Sequence, residues 1–352
     1  MLFPDIDTPG VLIDRDVVEQ NIGRYQAYCN SHGLGLRPHI KTHKIPEFAR
    51  LQIAAGSIGI TCQKIGEAEV MADAGIDDIL ITYNIIGTAK LKRLKSLSRR
   101  VKLSVVADNM VVIKGLSEAF QNAESPVKVL VECDTGAARC GVMKPAQAVD
   151  LALQIDSSPG LKFHGLMTYP ANGGTQDVQV WMSEALKKCA SLDLECRTIS
   201  SGGSPDMWRA HEAPVVTEYR IGTYIYNDRS LVERGVCGWD DCALSVLATV
   251  ISTPDKNRAV IDAGSKVLTT DLFGQQGFGH VRGRDDLNVY ALSEEHGLLS
   301  SDTEAVNLKV GDRLQIIPNH CCVVSNMVDS VILHRAGNEL QECRVAARGC
   351  VR

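Results

Sequence analysis

The first two thirds of the chain alternate between short apolar runs and amphipathic runs, and this pattern limits the fold more than any other feature. Strands that alternate with helices form parallel sheets, because each helix returns the chain to the start of the next strand. The sequence therefore predicts a parallel α/β unit. Its candidate strands are residues 36–38, 57–61, 78–81, 102–106, 127–133, 161–168, 197–200 and 216–220.

The number of repeats favours a closed sheet. About eight strands in roughly 200 residues fit a TIM-type (β/α)8 barrel, in which the carboxyl ends of the strands carry the chemistry. A doubly wound open sheet is the alternative. The candidate helices are residues 14–32, 45–55, 64–74, 88–97, 109–124, 145–157 and 176–192.

The pattern changes after about residue 240. Apolar and β-branched runs are now separated by Gly, Asp and Asn, which is typical of strands joined by turns. We therefore expect an all-β domain in the last third of the chain. Its candidate strands are residues 242–253, 258–263, 288–293, 313–318 and 330–334.

Composition excludes several classes of protein. A net charge of -5 and a pI near 6.0 argue against nucleic acid as the main partner. No apolar run is long enough to span a bilayer, and the N-terminus lacks the basic and apolar regions of a signal peptide. The 12 cysteines are scattered and form no Cys-x-x-Cys motif. This use of cysteine indicates reduced thiols and a cytoplasmic protein.

A basic stretch at residues 36–44 contains Lys41, which we interpret as the carrier of an aldehyde cofactor. If the stretch is a strand that runs into a loop, His39 and Lys41 lie on one face. A lysine amine must be neutral to attack a carbonyl, and cationic neighbours depress its pKa. The alternative is a solvated basic turn. The residues that would supply the positive field are Arg37, His39, His43 and Lys44.

Polar loops follow three of the candidate strands. Arg139 follows residues 127–133 and is predicted to hold an anionic oxygen, with an ion pair to Asp134 as the alternative. The Gly/Ser turn at 200–204 and Gly222 follow the last two strands, where barrels of this type bind phosphate. The sequence therefore predicts an anion site at one end of the sheet.

His320 and Cys322 form the candidate metal site. They are two residues apart, so on a strand both side chains would leave the same face, while Cys321 would point away. Imidazole and thiolate suit zinc, and two ligands leave positions for water or substrate. The alternative is a core histidine beside a buried cysteine.

These motifs together resemble the fold-type III pyridoxal phosphate enzymes of the D-threonine aldolase and D-serine dehydratase family. The resemblance extends over almost the whole chain, and the order of the motifs is specific. It is carried by Arg37-Pro-His-Ile-Lys-Thr-His-Lys, Cys62-Gln-Lys, Gly136-Ala-Ala-Arg-Cys-Gly, the Ser200–Ser204 loop, Gly222-Thr-Tyr, Asp262-Ala-Gly-Ser-Lys, Glu295-His-Gly, Pro318-Asn-His-Cys-Cys and Ala347-Arg-Gly.

The resemblance implies an alanine-racemase-like barrel at residues 15–240 and a β domain formed by residues 1–14 and 241–352, usually in a homodimer. It implies that Lys41 is the Schiff-base residue for pyridoxal 5'-phosphate and that Arg139 contacts the phenolic oxygen of the cofactor. His320 and Cys322 would bind a divalent metal, zinc or manganese, with magnesium as the alternative. The other cofactor residues it implies are Gln63, Tyr169, Ser201, Gly202, Gly203, Ser204, Gly222 and Tyr224.

The resemblance further implies a lyase that acts on D-β-hydroxy amino acids. A D-threonine aldolase-like reaction would give glycine and an aldehyde. A D-serine or D-threo-3-hydroxyaspartate dehydratase-like reaction, which would give a 2-oxo acid and ammonia, is the alternative. His320-x-Cys322 matches the dehydratase pattern, whereas the Arg139-Cys-Gly turn and Asp262-Ala-Gly-Ser-Lys are closer to the aldolases. We prefer aldol cleavage; an amino-acid racemase and a non-enzymatic cofactor carrier are further alternatives.

Overall fold

The computed structural model describes residues 2–302 and 305–352, and the chain divides into two compact units. The parallel unit comprises Arg24–Lys41, Pro46–Gly222 and Cys350–Arg352. The antiparallel unit comprises Met1–Gly23, Thr42–Ile45 and Thr223–Gly349. The domain boundaries expected at residues 14 and 240 stay predictions.

The strands follow the predicted change from parallel to antiparallel pairing. In chain order they are β1 (Gly10–Asp14), β2 (Gly35–Leu36), β3 (Ile60–Cys62), β4 (Asp78–Ile81), β5 (Lys102–Ala107), β6 (Val127–Cys133), β7 (Leu161–Thr168), β8 (Thr198–Gly202), β9 (Glu218–Arg220), β10 (Leu244–Asp255), β11 (Arg258–Ile261), β12 (His280–Val281), β13 (Leu287–Leu292), β14 (Gly297–Ser301), β15 (Arg313–Ile317), β16 (Ser330–Arg335) and β17 (Asn338–Arg344).

The α-helices separate the strands of the parallel sheet and are few and short after residue 230. In chain order they are α1 (Arg15–Ser31), α2 (Pro46–Ala54), α3 (Ile65–Asp73), α4 (Thr88–Leu97), α5 (Met110–Phe120), α6 (Pro145–Ser157), α7 (Thr175–Ala190), α8 (Arg229–Val232), α9 (Ser265–Leu268) and α10 (Cys321–Met327). Four further segments are 3₁₀-helices: Ile40–Thr42, Ser204–Glu212, Thr223–Ile225 and Trp239–Asp241.

The parallel unit contains an eight-stranded sheet with the order β2-β9-β8-β7-β6-β5-β4-β3. Every neighbouring pair in it is parallel, as the alternation of strands and helices predicts. A parallel bridge between His39 and Thr61 joins the segment after β2 to β3, and the Thr61 amide donates to the Pro38 carbonyl at 2.8 Å. These contacts join the two ends of the strand order, as closure into a barrel requires.

Four neighbouring strands of this sheet share one apolar cluster. Leu80, Val106, Leu130 and Met167 come from β4, β5, β6 and β7, and each is at most 1% exposed. Parallel strands that are covered by helices are buried on both faces and therefore read as continuous apolar runs. The burial of these residues explains why the strands could be predicted from apolar runs in the sequence.

The antiparallel unit is built on a nine-stranded sheet with the order β11-β14-β13-β12-β15-β10-β1-β16-β17. The N-terminal strand β1 pairs with β10 in antiparallel orientation and with β16 in parallel orientation. The expectation that the early strand joins the C-terminal sheet is therefore confirmed. Within the described residues, no helix has both the length and the apolar character that crossing a bilayer requires.

Candidate active site

Lys41 lies in the 3₁₀-helix Ile40–Thr42, which follows the short strand β2. β2 ends at Leu36, so the stretch is not the strand on which the placement of His39 and Lys41 on one face depended. A hydrogen bond relates them instead: the Lys41 amide donates to Nδ1 of His39 at 3.3 Å. Lys41 is half-buried and His39 is 8% exposed.

Gln63 orients the His39 ring from the far side. Because Nδ1 accepts from an amide, Nε2 carries the proton and donates to Oε1 of Gln63 at 3.0 Å. The Gln63 amide nitrogen in turn donates to the Thr82 carbonyl at 2.9 Å. The chain of contacts ties Gln63, which follows β3, to the backbone of Lys41.

One of the cations expected to act on the lysine, Arg37, is paired with carboxylates. Arg37 forms ion pairs with Glu218 at 2.8 Å and with Asp78 at 2.6 Å, so its charge is balanced within the parallel unit. Lys44 donates to Oδ1 of Asn326 at 2.7 Å within the antiparallel unit. The basic stretch is thus not a solvated turn, since His43 and Thr42 are fully buried.

The loops after β8 and β9 fit a phosphate group. β8 ends at Gly202, which pairs with Arg220 at the end of β9, so the two loops leave neighbouring strands at the same edge. Gly203 has a φ of +122°, which a residue with a side chain rarely adopts, and nothing lies within 4 Å of where its Cβ would be. The open space beside this glycine is suited to an anion that approaches the backbone.

The remaining predicted phosphate residues lie at or after these strand ends. Ser201 is inside β8 and is 2% exposed, whereas Ser204 begins the 3₁₀-helix Ser204–Glu212 and is 8% exposed. Gly222 follows β9 and is buried. Tyr224 belongs to the 3₁₀-helix Thr223–Ile225 and is 1% exposed.

Arg139 and Tyr169 are brought together as predicted members of one site. The guanidinium carbon of Arg139 lies 4.4 Å from the centre of the Tyr169 ring, in a cation–π contact. Asp134, the alternative partner, accepts from the amides of Gly136 and Ala138 at 2.9 and 3.2 Å and shapes the turn. Arg139 is exposed, and within the described residues its contact is with the Tyr169 ring and not with the Asp134 carboxylate.

The sequence analysis did not identify two buried charged residues at this end of the sheet. Arg220, the last residue of β9, donates to the Thr168 carbonyl at 2.7 Å and also to the Ser200 hydroxyl. Burial lowers the pKa of Arg220 to about 10, against the opposing effect of Glu218 and Glu132. The only sequence signal was a pair of charged residues in an otherwise buried strand.

Glu132 is the second buried charge, near the end of β6. Burial and, to a smaller extent, Asp108 raise the pKa of Glu132, while Arg139 and Arg220 lower it, and the net pKa is about 7. The Asn84 amide contacts its carboxylate at 3.5 Å. A carboxyl whose pKa is near neutrality beside two arginines can exchange a proton in the working pH range of an enzyme.

The predicted metal ligands lie at the start of a helix and not on a strand. His320 immediately precedes α10, and Cys321 and Cys322 are its first two residues, so the strand prediction is wrong. The ligand atoms of His320, Cys321 and Cys322 nevertheless all lie within 4.8 Å of one another. Cys321, expected to point away, therefore belongs to the same cluster, although it is fully buried.

Asp228 completes this cluster from a distance of 92 residues in the sequence. Its Oδ2 accepts from Nδ1 of His320 at 2.8 Å, so Nε2 is the nitrogen of the imidazole that could bind a metal. Oδ2 also accepts from the Cys321 amide at 3.2 Å, and Oδ1 accepts from the amide of Leu231 and the hydroxyl of Ser230. A fully buried carboxylate thus fixes the orientation of the His320 ring.

The charges around His320 are those that favour a cation. Burial lowers the pKa of His320, but Cys322 and Asp228 outweigh it and raise the pKa to about 11. The hydroxyl of Thr42 lies 3.2 Å from the Cys322 sulfur, and that of Thr223 lies 4.0 Å from it. Imidazole, thiol and a supporting carboxylate form a donor set that fits zinc or a similar divalent ion.

Family models match most of the chain. The model of the alanine racemase N-terminal domain matches residues 13–230, and that of the serine dehydratase domain matches residues 243–334. The eight-stranded parallel sheet, the separate antiparallel sheet and these matches define the alanine-racemase-like class of pyridoxal phosphate enzymes.

Similar proteins of known activity narrow the class. The chain is 33% identical to D-threonine aldolase from Arthrobacter sp, over 98% of this chain and 93% of that protein. It is 31% identical to D-threo-3-hydroxyaspartate dehydratase from Delftia sp. strain HT23, over 90% of this chain and 91% of that one. The protein belongs to the D-threonine aldolase and D-serine dehydratase family.

A solved structure supports the same assignment. The crystal structure of D-threonine aldolase from Filomicrobium marinum superposes with a TM-score of 0.91 at 32% identity. The match covers 99% of this chain and 97% of that one. The likeness therefore includes both units, each with its own sheet.

Proposed function

We propose that the protein is a pyridoxal phosphate- and divalent-metal-dependent lyase that cleaves D-β-hydroxy amino acids to glycine and an aldehyde. The observation that carries the proposal is the Asp228-supported pair His320 and Cys322. A racemase or a cofactor carrier needs the lysine but has no use for a carboxylate-oriented imidazole beside a thiol. The membership of the family supports the same reading.

In this proposal, Lys41 attaches the cofactor and the loops after β8 and β9 hold its phosphate. When bound, the cofactor withdraws electrons from the substrate α-carbon, and the metal lowers the pKa of the β-hydroxyl. Arg139 and Tyr169 frame the cofactor, and Gln63 fixes the His39 ring that accepts from the Lys41 amide.

His320 and Cys322 donate to the metal through Nε2 and Sγ, while Asp228 keeps the proton on Nδ1. Thr42 directly follows Lys41 in the chain, and its hydroxyl contacts the Cys322 sulfur. In this proposal the lysine and the metal pair act in the same reaction. The in vivo metal, a homodimeric state and a cytoplasmic location stay predictions.

Dehydration of a D-β-hydroxy amino acid is the second candidate. It is favoured by the donor pattern His320-x-Cys322 and by the similarity to the dehydratase from Delftia sp.. In aldol cleavage the bond between the α- and β-carbons breaks, whereas in dehydration the α-proton and the β-hydroxyl are lost. The outcome depends on which bond at the α-carbon the site favours.

The products distinguish the two reactions. Protein supplied with pyridoxal 5'-phosphate and Mn²⁺ or Zn²⁺ is assayed with D-threonine, D-serine and D-threo-3-hydroxyaspartate. Glycine and an aldehyde support the aldolase, and a 2-oxo acid with ammonia supports the dehydratase. Activity that survives a chelator would contradict both, because each requires the metal.

A further inference from the structure

Phe273 packs against the imidazole of the metal pair. It lies in the segment between α9 and β12, and its ring centre is 4.9 Å from that of His320 with an angle of 61° between the ring planes. An edge-to-face arrangement of this kind is a favourable aromatic contact. About half of the Phe273 surface, 51%, remains exposed, so the ring covers His320 without being part of the protein core.

Residues that neighbour the metal cluster hold this segment in place. Asn319, next to His320, donates to the carbonyls of Asp271 at 3.0 Å and Gly277 at 2.8 Å. Arg229, next to Asp228, donates to the carbonyls of Gln276 at 2.9 Å and Gly279 at 3.4 Å. Four hydrogen bonds to main-chain carbonyls therefore fix the segment around Phe273.

The backbone at Phe273 is in an unfavourable conformation. Its φ of +49° lies in the left-handed region, which residues other than Gly, Asn and Asp rarely adopt. A half-exposed phenylalanine gains little from burial to offset this cost. Strained residues that the surroundings hold in place are concentrated at functional sites, so the position of this ring calls for a functional reason.

We propose that Phe273 determines which β-substituent the enzyme accepts, and that it favours a methyl or phenyl group over a carboxylate. The proposal rests on the lyase function above, in which the metal on His320 takes the β-hydroxyl. The other substituent of the same carbon is then within reach of groups that contact His320. An apolar ring at that place stabilises an apolar substituent and excludes water from it.

The charges of the antiparallel unit agree with this selection. Asp228 accepts from His320, and Cys322 belongs to the metal pair, so neither residue supplies a positive charge to a carboxylate of the substrate. Two cations of the same unit have other partners: Arg229 contacts Glu233 at 2.6 Å, Asn319 and the loop carbonyls, and Lys44 contacts Asn326. A substrate carboxylate beside Phe273 would therefore lack an ion pair with either of these two side chains.

The test compares two substrates and two non-reacting ligands in the wild type, Phe273→Ala and Phe273→Lys. The substrates are D-threo-phenylserine and D-threo-3-hydroxyaspartate, supplied with pyridoxal 5'-phosphate and Mn²⁺. The ligands are D-phenylalanine and D-aspartate, which lack the β-hydroxyl and are titrated by the change in cofactor absorbance. Leu272→Ala is the matched control, because Leu272 is also an exposed apolar residue (43%) of the same segment.

We expect the wild type to favour the phenyl compounds. Phe273→Ala should reduce the ratio of kcat/KM for D-threo-phenylserine to kcat/KM for D-threo-3-hydroxyaspartate about tenfold. Phe273→Lys should reduce it further and tighten binding of D-aspartate, with Leu272→Ala unchanged. Unaltered ratios in both Phe273 variants would overturn the specificity role while leaving the lyase function intact. Failure of the wild type to turn over either substrate would reject the lyase, and the two binding titrations would still decide the role of Phe273.

Discussion

Replacement of Asp228 by Asn is the most direct test of the metal site. The substitution keeps the shape of the side chain but makes one of its two terminal atoms a hydrogen-bond donor. Oδ2 now accepts from His320 and Cys321, and Oδ1 accepts from Ser230 and Leu231. The NH2 group of the asparagine must therefore face N–H or O–H donors on one of the two sides.

If the amide nitrogen faces His320, Nδ1 must give up its proton in order to accept. The proton then resides on Nε2, and the nitrogen that should bind the metal has no free electron pair. If the amide nitrogen faces Leu231 instead, the N-terminal cap of α8 is lost. Loss of such a supporting carboxylate reduces metal affinity about 10- to 100-fold, which corresponds to about 1.4 to 2.7 kcal/mol.

The assay is competition between the protein and a chelator for Zn²⁺ and Mn²⁺, with thermal unfolding of metal-free protein as a check on the fold. Asp240→Asn is the matched control, because it removes one carboxylate of the same unit from an exposed position. We expect the control to bind metal like the wild type. Wild-type metal affinity together with wild-type thermal stability in Asp228→Asn would refute the assignment of His320 as a ligand oriented by this carboxylate, because each orientation of the amide should reduce one or the other.

Four further predictions concern the other site residues. Lys41→Ala should abolish the absorbance of lysine-bound pyridoxal phosphate, whereas Lys162→Ala, an exposed control, should keep it; a persistent band would show that another group carries the cofactor. Cys322→Ala should lose bound metal and lyase activity together by metal analysis and product assay, and retained activity without metal would remove the thiol from the mechanism. Arg139→Ala should shift the cofactor absorbance and lower kcat with little change in Tm, since Arg139 is exposed; a large loss of Tm would indicate a structural role. The folded-state pKa of Glu132 is about 7 against an ordinary 4.5, so the wild type loses stability as Glu132 ionises between pH 5 and pH 8. Glu132→Gln cannot ionise, so its free energy of unfolding should rise relative to that of the wild type by about 2 kcal/mol over this range, measured by urea unfolding without cofactor. A difference between the two proteins that does not change with pH would contradict this.

The strands and helices of the parallel unit were largely predictable from the sequence. The bounds of β4, β6, β7, α4 and α6 agree with the predicted ranges at both ends. These elements are periodic over several residues, and their apolar positions are buried, so local patterns and tertiary packing favour the same structure. The C-terminal extent of β2 was overestimated, because a 3₁₀-helix begins soon after it at Ile40.

The arrangement around the metal pair was less predictable. His320 and Cys322 were recognised by residue type, but they were placed on a strand because they lie in the predicted β domain, whereas His320 precedes α10 and Cys322 lies within it. Asp228 carries no local signal, because it acts on a histidine 92 residues away. The neutralisation of Arg37 by Asp78 and Glu218 is also a long-range effect that periodicity does not reveal.

The four hydrogen bonds that hold the segment around Phe273 all end on main-chain carbonyls. None of these carbonyls belongs to residue 273, so a substitution at that position leaves the anchoring to Asn319 and Arg229 in place. Descendants of this enzyme can therefore exchange the residue at position 273 during evolution and acquire new substrates while Asp228, His320 and Cys322 stay the same. A change of substrate requires few mutations when the residue that selects the substrate can change without altering the residues that carry out the reaction.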